Sequence, residues 1–246
     1  MFYGAGGIGT TNEGTEDHPI VVHGCTSTAF ANFFGWLDHN PWEAHTADHA
    51  QQLLDILHIS HMWEIGPGIQ FASTELLKPQ FGLRAAHRLH LSHQYNLLAW
   101  IPIAVRVLLS THLKDYSEVD KEHLGFDLYE IISRTKESIE TEQKRLGVYP
   151  PYPKNFDDGP FCENHGQCMK IWIEKWYTVI LRRIHNISQP LPISSIVDAL
   201  AEIDHKGMQQ RCKDYILSWL EGSNHLGKEE ELIQNAIDII RTRFFA

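Results

Sequence analysis

Cys162, His165 and Cys168 stand three residues apart in the stretch FCENHGQCMKIWIEKW, and no other residues of the chain are better suited to chemistry. In a helix, or in a turn entering one, that spacing brings two sulfurs and an imidazole to one side of the backbone. Zinc takes four such ligands in a tetrahedron, so a further donor must come from elsewhere in the chain. Cys212, on a later helix, is the obvious one, and with Cys162, His165 and Cys168 it completes a closed site of three thiolates and one imidazole. The competing reading is a cluster of buried thiols beside a satisfied histidine, because free cysteine is among the most buried residue types.

Sixteen histidines form a second group of candidates. His87, His90 and His93 lie on one helical arc of HRLHLSH, His58 and His61 are a turn apart in HISH, and His45 and His49 stand at i, i+4 in HTADH. None has the neighbouring glutamate of the His-Glu-x-x-His metalloprotease arrangement, so no catalytic residue is assigned. The glycines of GAGGIG match the dinucleotide fingerprint at Gly4, Gly6 and Gly9, but no strand leads into them and TTNEGTEDHP follows where a helix should open. Residues 1–17 read as a loop. There is no nucleophile elbow, no phosphate loop and no carboxylate pair whose spacing compels acid/base work.

Composition narrows the function classes. A formal charge of -10 over 246 residues argues against nucleic acid as a partner, which needs clustered Lys and Arg. The longest apolar segment, NLLAWIPIAVRVLLS, is interrupted by Arg106 and too short to span a bilayer, and MFYGAGGIGT has no basic flank. The expectation is a soluble, intracellular protein, cytoplasmic or nuclear. Four cysteines in a chain this long favour thiolate chemistry or burial over a disulfide framework.

The elements that must position these residues are nearly all helical. HPIVVHGCT has the β-branched character of one short strand near Pro19 to His23. After it, STAFANFFGWL places Phe30, Phe33, Phe34 and Leu37 on one face, with Ser27 or Thr28 as the cap. Leu53, Leu54, Leu57 and Trp63 continue the helical period, GPG at 66–68 marks a turn, and Pro102 separates two helices. Leu124, Leu128, Ile131, Ile132 and Ile139 form an amphipathic stripe that stops near Gly147. VYPPYPKNFDDGP is the best domain boundary, and beyond it Trp172 and Trp176 at i, i+4 read as core. Ser195 and Asp198 predict a capping box for IVDALAEIDH, and KEEELIQNAIDIIRTRFF closes the chain as a last amphipathic helix.

Three stretches, EGTEDHPIVVHGCTSTAFANFFGWL, LLDILHISHMWEI and LLKPQFGLRAAHRLHLSHQYNLLAWIPIAVRVLLS, together resemble the second half of the BTB/POZ domains of mushroom-forming fungi. Leu57, Ile59, Ser60, Met62 and Trp63 match that family's LxLSxMW stretch, and HLGFDLYEIISRTKES with the Cys162 to Cys212 region is similar to its carboxy-terminal extension. The resemblance implies a truncated BTB-like helical body at 1–148, a proline-rich linker at 149–160 and a helical extension with a zinc site at 161–246. It implies that the dimer-forming first strand and helix of the family would lie before Met1, which leaves the apolar face of FANFF for another cover. The expected fold is mainly α, and the expected function is protein-protein interaction with structural zinc. A metal-dependent hydrolase using the Cys/His site or a histidine cluster is the alternative, and the partner is a protein or a second copy of the chain.

Overall fold

The computed structural model describes residues 21–38, 49–153, 162, 164–186 and 190–245. Among these the protein is mainly helical and contains no strand. Val21 to His23 are not extended into a sheet, while Pro19, Ile20, His45 and the expected loop at 1–17 lie outside the described residues. The chain divides into two units, Met1–Leu83 and Arg84–Ala246.

The first unit is built from α1 (Ser27–Asp38), α2 (His49–Met62) and α3 (Gly66–Glu75), followed by a 3-10 turn at Pro79–Phe81. The cap of α1 is Thr26, whose hydroxyl accepts the Ala29 N–H at 3.1 Å, rather than Ser27 or Thr28. The α2 stripe of Leu53, Ile56, Leu57 and Ile59 is fully buried, together with Phe33 of α1 and Ala72 of α3. Trp63 meets Phe30 and Phe33 edge-on, at 5.8 and 5.6 Å between ring centres. Phe34 and Leu37, on the same predicted face as Phe33, are exposed.

The second unit holds two apolar cores joined by one long helix. In the first, α4 (Ala85–Gln94), α5 (Trp100–Ser110), the first half of α6 (Glu118–Val148) and α11 (Lys228–Phe245) bury Leu89, Ile101, Val105, Leu128, Ile132, Ile237 and Ile240. Pro102 sits in the first turn of α5, where its missing N–H costs nothing, and the chain turns before it at Asn96, whose φ is +54°. A capping box opens α6: Ser117 accepts the Asp120 N–H, and the Asp120 carboxylate accepts the Ser117 N–H. The helix breaks at Gly125, whose φ of +63° suits glycine alone.

The second core gathers around α7 (His165–Lys175), a π-helical turn at Trp176–Ile180, α8 (Leu181–Ile184), α9 (Ile196–Glu202) and α10 (Gln210–Gly222). Trp172, Trp176, Ile180 and Ile184 recur every four residues, and all are buried. In a continuous α-helix such a row drifts about 40° per step, so four in register need a correction. The wider π turn supplies it. Trp176 Nε1 donates to the Leu146 carbonyl at 2.9 Å and the Tyr177 hydroxyl to the Val148 carbonyl at 2.9 Å, satisfying acceptors that the end of α6 leaves open. Trp172 Nε1 donates to the Pro151 carbonyl at 3.2 Å, so the start of the proline-rich segment is tied to α7.

One capping expectation fails. Ser195 makes no side-chain cap to α9; the chain enters it through a 3-10 turn, Ile193–Ser195, whose first N–H is accepted by Glu229 Oε2 at 2.8 Å. A carboxylate from α11 takes the place of the local box.

Candidate metal centre

The cysteine site is assembled by two helix starts. Asn164 caps α7 by accepting the Gln167 N–H at 3.2 Å, so the helix begins at His165 and carries Cys168 one turn in. Cys162 lies just before that cap, its sulfur accepting the Asn164 N–H at 3.2 Å. Gln209 leads into α10, Cys212 is in that helix's first turn, and the Gln209 N–H reaches Cys168 Sγ at 3.5 Å. The amino ends of α7 and α10 therefore both lie against the sulfurs, where helix dipoles favour negative charge.

Cys162, Cys168 and Cys212 have their sulfurs within 4.8 Å of one another, and Cys162 Sγ is 3.7 Å from Cys168 Sγ. That separation is well beyond the roughly 2.05 Å of a disulfide, and all three are free thiols. Cys168 and Cys212 are buried, while Cys162 is half-buried. Burial first, and then the neighbouring Cys162 and Cys168, pushes the Cys212 thiol up to about 12. A bound cation reverses that balance, because a coordinating thiol is deprotonated outright. The trio can thus hold a metal ion. His165 places Nδ1 3.8 Å from Cys212 Sγ and stands outside the mutual 4.8 Å of the three sulfurs.

His205, which carries no spacing signal in the sequence, borders this region. Its ring stacks on Trp172 at 5.7 Å and it is buried. Nδ1 donates to the Ile203 carbonyl at 2.8 Å, and burial above all lowers its pKa, so the neutral ring keeps a bare Nε2 that has no hydrogen-bond partner among the described residues.

The histidine arc of α4 does not hold together. His87 stacks on His123 of α6 at 4.4 Å and His90 approaches the same ring at 5.3 Å, whereas His93 packs edge-on to Phe245 at 5.6 Å. Burial, then His123 and His90, lowers the His87 pKa. In the first unit His58 Nε2 pairs with the Gly24 carbonyl at 2.7 Å. Among the described residues, the three cysteines are the one group of three or more ligating side chains whose donor atoms converge.

No described helix is long and apolar enough to cross a membrane. Compared with known protein families, with curated proteins and with solved structures, the chain matches none.

Proposed function

We propose that the protein is a non-catalytic helical interaction module, related to BTB/POZ proteins, whose second core is stapled by a structural zinc ion on Cys162, His165, Cys168 and Cys212. The sulfur geometry carries this reading. Two thiolates, each about 2.3 Å from a tetrahedral zinc, stand about 3.8 Å apart. Cys162 and Cys168 are separated by 3.7 Å, one edge of such a tetrahedron. Closing the longest sulfur edge from its limit of 4.8 Å requires a shift of about 1 Å. Thiolate softness favours zinc over magnesium or calcium, and two helix dipoles offset part of the negative charge that three thiolates bring. With His165 as the fourth ligand no position is left for an activated water, which separates a staple from a hydrolase.

Exposed apolar side chains support the interaction half. Phe34, Leu37 and Trp63 are open on the first unit, and Phe126, just past the α6 break, is 80% exposed. The relation to BTB/POZ proteins rests on the motif from Leu57 to Trp63. The decisive experiment is elemental analysis of the purified full chain with X-ray absorption at the zinc edge. A stoichiometric ion with three sulfur and one nitrogen neighbours is expected, lost in Cys168→Ser and Cys212→Ser. Protein without stoichiometric metal refutes the staple, and a shell containing a solvent oxygen in place of His165 favours the hydrolase.

A further inference from the structure

The three sulfurs differ in a way that bare coordination does not require. Cys162 and Cys168 are six residues apart on one segment and 3.7 Å apart in space, whereas Cys212 reaches the site from another helix. Cys162 alone of the three is half-buried; Cys168 and Cys212 are 2% and 1% exposed. Backbone N–H groups point at Cys162 Sγ and Cys168 Sγ, from Asn164 at 3.2 Å and Gln209 at 3.5 Å. Reaction with an oxidant needs access, which is best met at Cys162, and a resolving sulfur already stands beside it.

We infer that Cys162 and Cys168 form a redox-convertible pair, a modification site that a hydroperoxide closes into a disulfide and a thiol reopens. In the first step the Cys162 thiolate attacks one peroxide oxygen. A sulfur–oxygen bond forms, the oxygen–oxygen bond breaks, and the departing hydroxide leaves as water after taking a proton from solvent. Cys168 then gives up its proton and attacks the Cys162 sulfur: the sulfur–sulfur bond forms, the sulfur–oxygen bond breaks, and the second hydroxide takes up that proton and leaves as water. The two sulfurs together give up two electrons, which the peroxide takes. Closing the pair requires the sulfurs to approach by about 1.7 Å, from 3.7 Å to a bond of about 2.05 Å. Cys168 is held within α7, so the approach falls to Cys162, which precedes the α7 cap. The consequence for metal rests on the zinc reading: with two of four ligands withdrawn, Cys212 and His165 alone cannot retain the ion.

The test treats the purified full chain with increasing hydrogen peroxide, follows zinc release with a chromogenic chelator, and maps cysteines by alkylation and peptide mass. The expected result is a linkage of Cys162 to Cys168, Cys212 alkylated and free, stoichiometric zinc release in step with the linkage, and full reversal by dithiothreitol. A disulfide that includes Cys212, or Cys162 carried to the sulfinic acid with no disulfide, overturns the inference. Cys168→Ser should leave a sulfenic acid on Cys162 that dimedone traps. Were the protein to purify without zinc, the structural staple would fall while the same Cys162–Cys168 linkage would still be expected, so the two failures are distinguishable.

Discussion

Asp120 offers the sharpest test of how the second unit is held together. The residue is 3% exposed, and its carboxylate accepts four donors: the Ser117 N–H at 2.9 Å, the Ser117 hydroxyl at 2.7 Å, Arg84 Nε at 2.7 Å and Arg84 Nη2. The Ser117 pair is the carboxylate half of the α6 capping box, and a lost capping contact costs about 1 kcal/mol. The Arg84 fork joins the start of α4 to the start of α6, but the Arg84 side chain is 58% exposed, so its share is about 0–1 kcal/mol. Asp120→Ala removes both contacts, while the Asp120 N–H keeps its bond to Ser117 Oγ and the N–H of the exposed Ser117 can turn to water, for a loss of about 1–2 kcal/mol. Asp120→Asn keeps one oxygen on Ser117 and Arg84 Nη2 but sets its amide against Arg84 Nε and removes the charge, so it loses the Arg84 share alone, about 1 kcal/mol.

Acid should have the same effect as that second substitution. Burial alone would push the Asp120 carboxyl up, and the hydrogen bonds from Arg84 and Ser117 outweigh it, leaving the pKa below the usual value. The folded carboxyl therefore stays ionised below the pH at which the unfolded one, near about 3.9, takes its proton. The carboxylate's contribution is present above that point and is lost as pH falls through the lower folded value. Because two units blur a single unfolding transition, the assay is native-state hydrogen exchange read at α4 and the first turns of α6. A loss in Asp120→Ala below about 0.5 kcal/mol, in the range of an ordinary surface change, would refute the reasoning. A gap between wild type and Asp120→Asn that stays constant from neutral pH into the acid range would refute it equally.

Two further substitutions probe packing. A Cβ on Gly68 would stand 2.1 Å from Ser60 Oγ, 2.9 Å from Ser60 Cβ and 3.2 Å from Trp36, so Gly68→Ala should destabilise the first unit by about 1–3 kcal/mol despite the better helix former. Thermal unfolding should show the drop, Ser60→Gly in the same chain should recover much of it, and a more stable single variant would contradict the α2–α3 contact. Trp176→Phe removes the donor to the Leu146 carbonyl and shrinks a fully buried ring, for about 2–3 kcal/mol and faster exchange at the end of α6. Trp219→Phe, at a half-buried ring, is the matched control and should cost much less.

Legibility in the sequence followed the range of the interaction. The helical stripes of Leu53 to Leu57 and Leu124 to Ile132 were readable because burial acts along one element, and Trp172 with Trp176 proved to be core for the same reason. The break at Gly125 was not, since the apolar period runs through it unbroken and only the φ of +63° reveals it. Ser195 and Asp198 have the spacing of a capping box, yet Glu229 of α11 takes the nearby N–H, a tertiary contact with no local signal. At the cysteine site, the spacing of Cys162, His165 and Cys168 was visible, and Cys212 could be chosen because it was the remaining thiol of the last third. Neither the convergence of two helix starts nor the burial of His205 could be read, because Gln209 is not a preferred cap and His205 belongs to no repeating pattern.

The location of the cysteines gives the proposed staple a physical purpose. The first core of the second unit rests on the 31-residue α6 and the 18-residue α11, elements long enough to bury continuous stripes, with α4 and α5 of 10 and 11 residues packed on them. The second core relies on α8 with 4 residues, α9 with 7 and a π turn of 5, and helices much shorter than about 12 residues are marginal without tertiary support. Such a body gains most from a cross-link between distant segments. Cys162 and Cys168 sit at the start of its first helix and Cys212 in the first turn of its last, so an ion among them would close the whole segment that contains the short elements. Metal removal should consequently raise hydrogen exchange across α8, α9 and α10 while α5 and the first half of α6 keep their protection. Uniform loosening of both cores would place the staple's stabilisation somewhere other than the short helices it encloses.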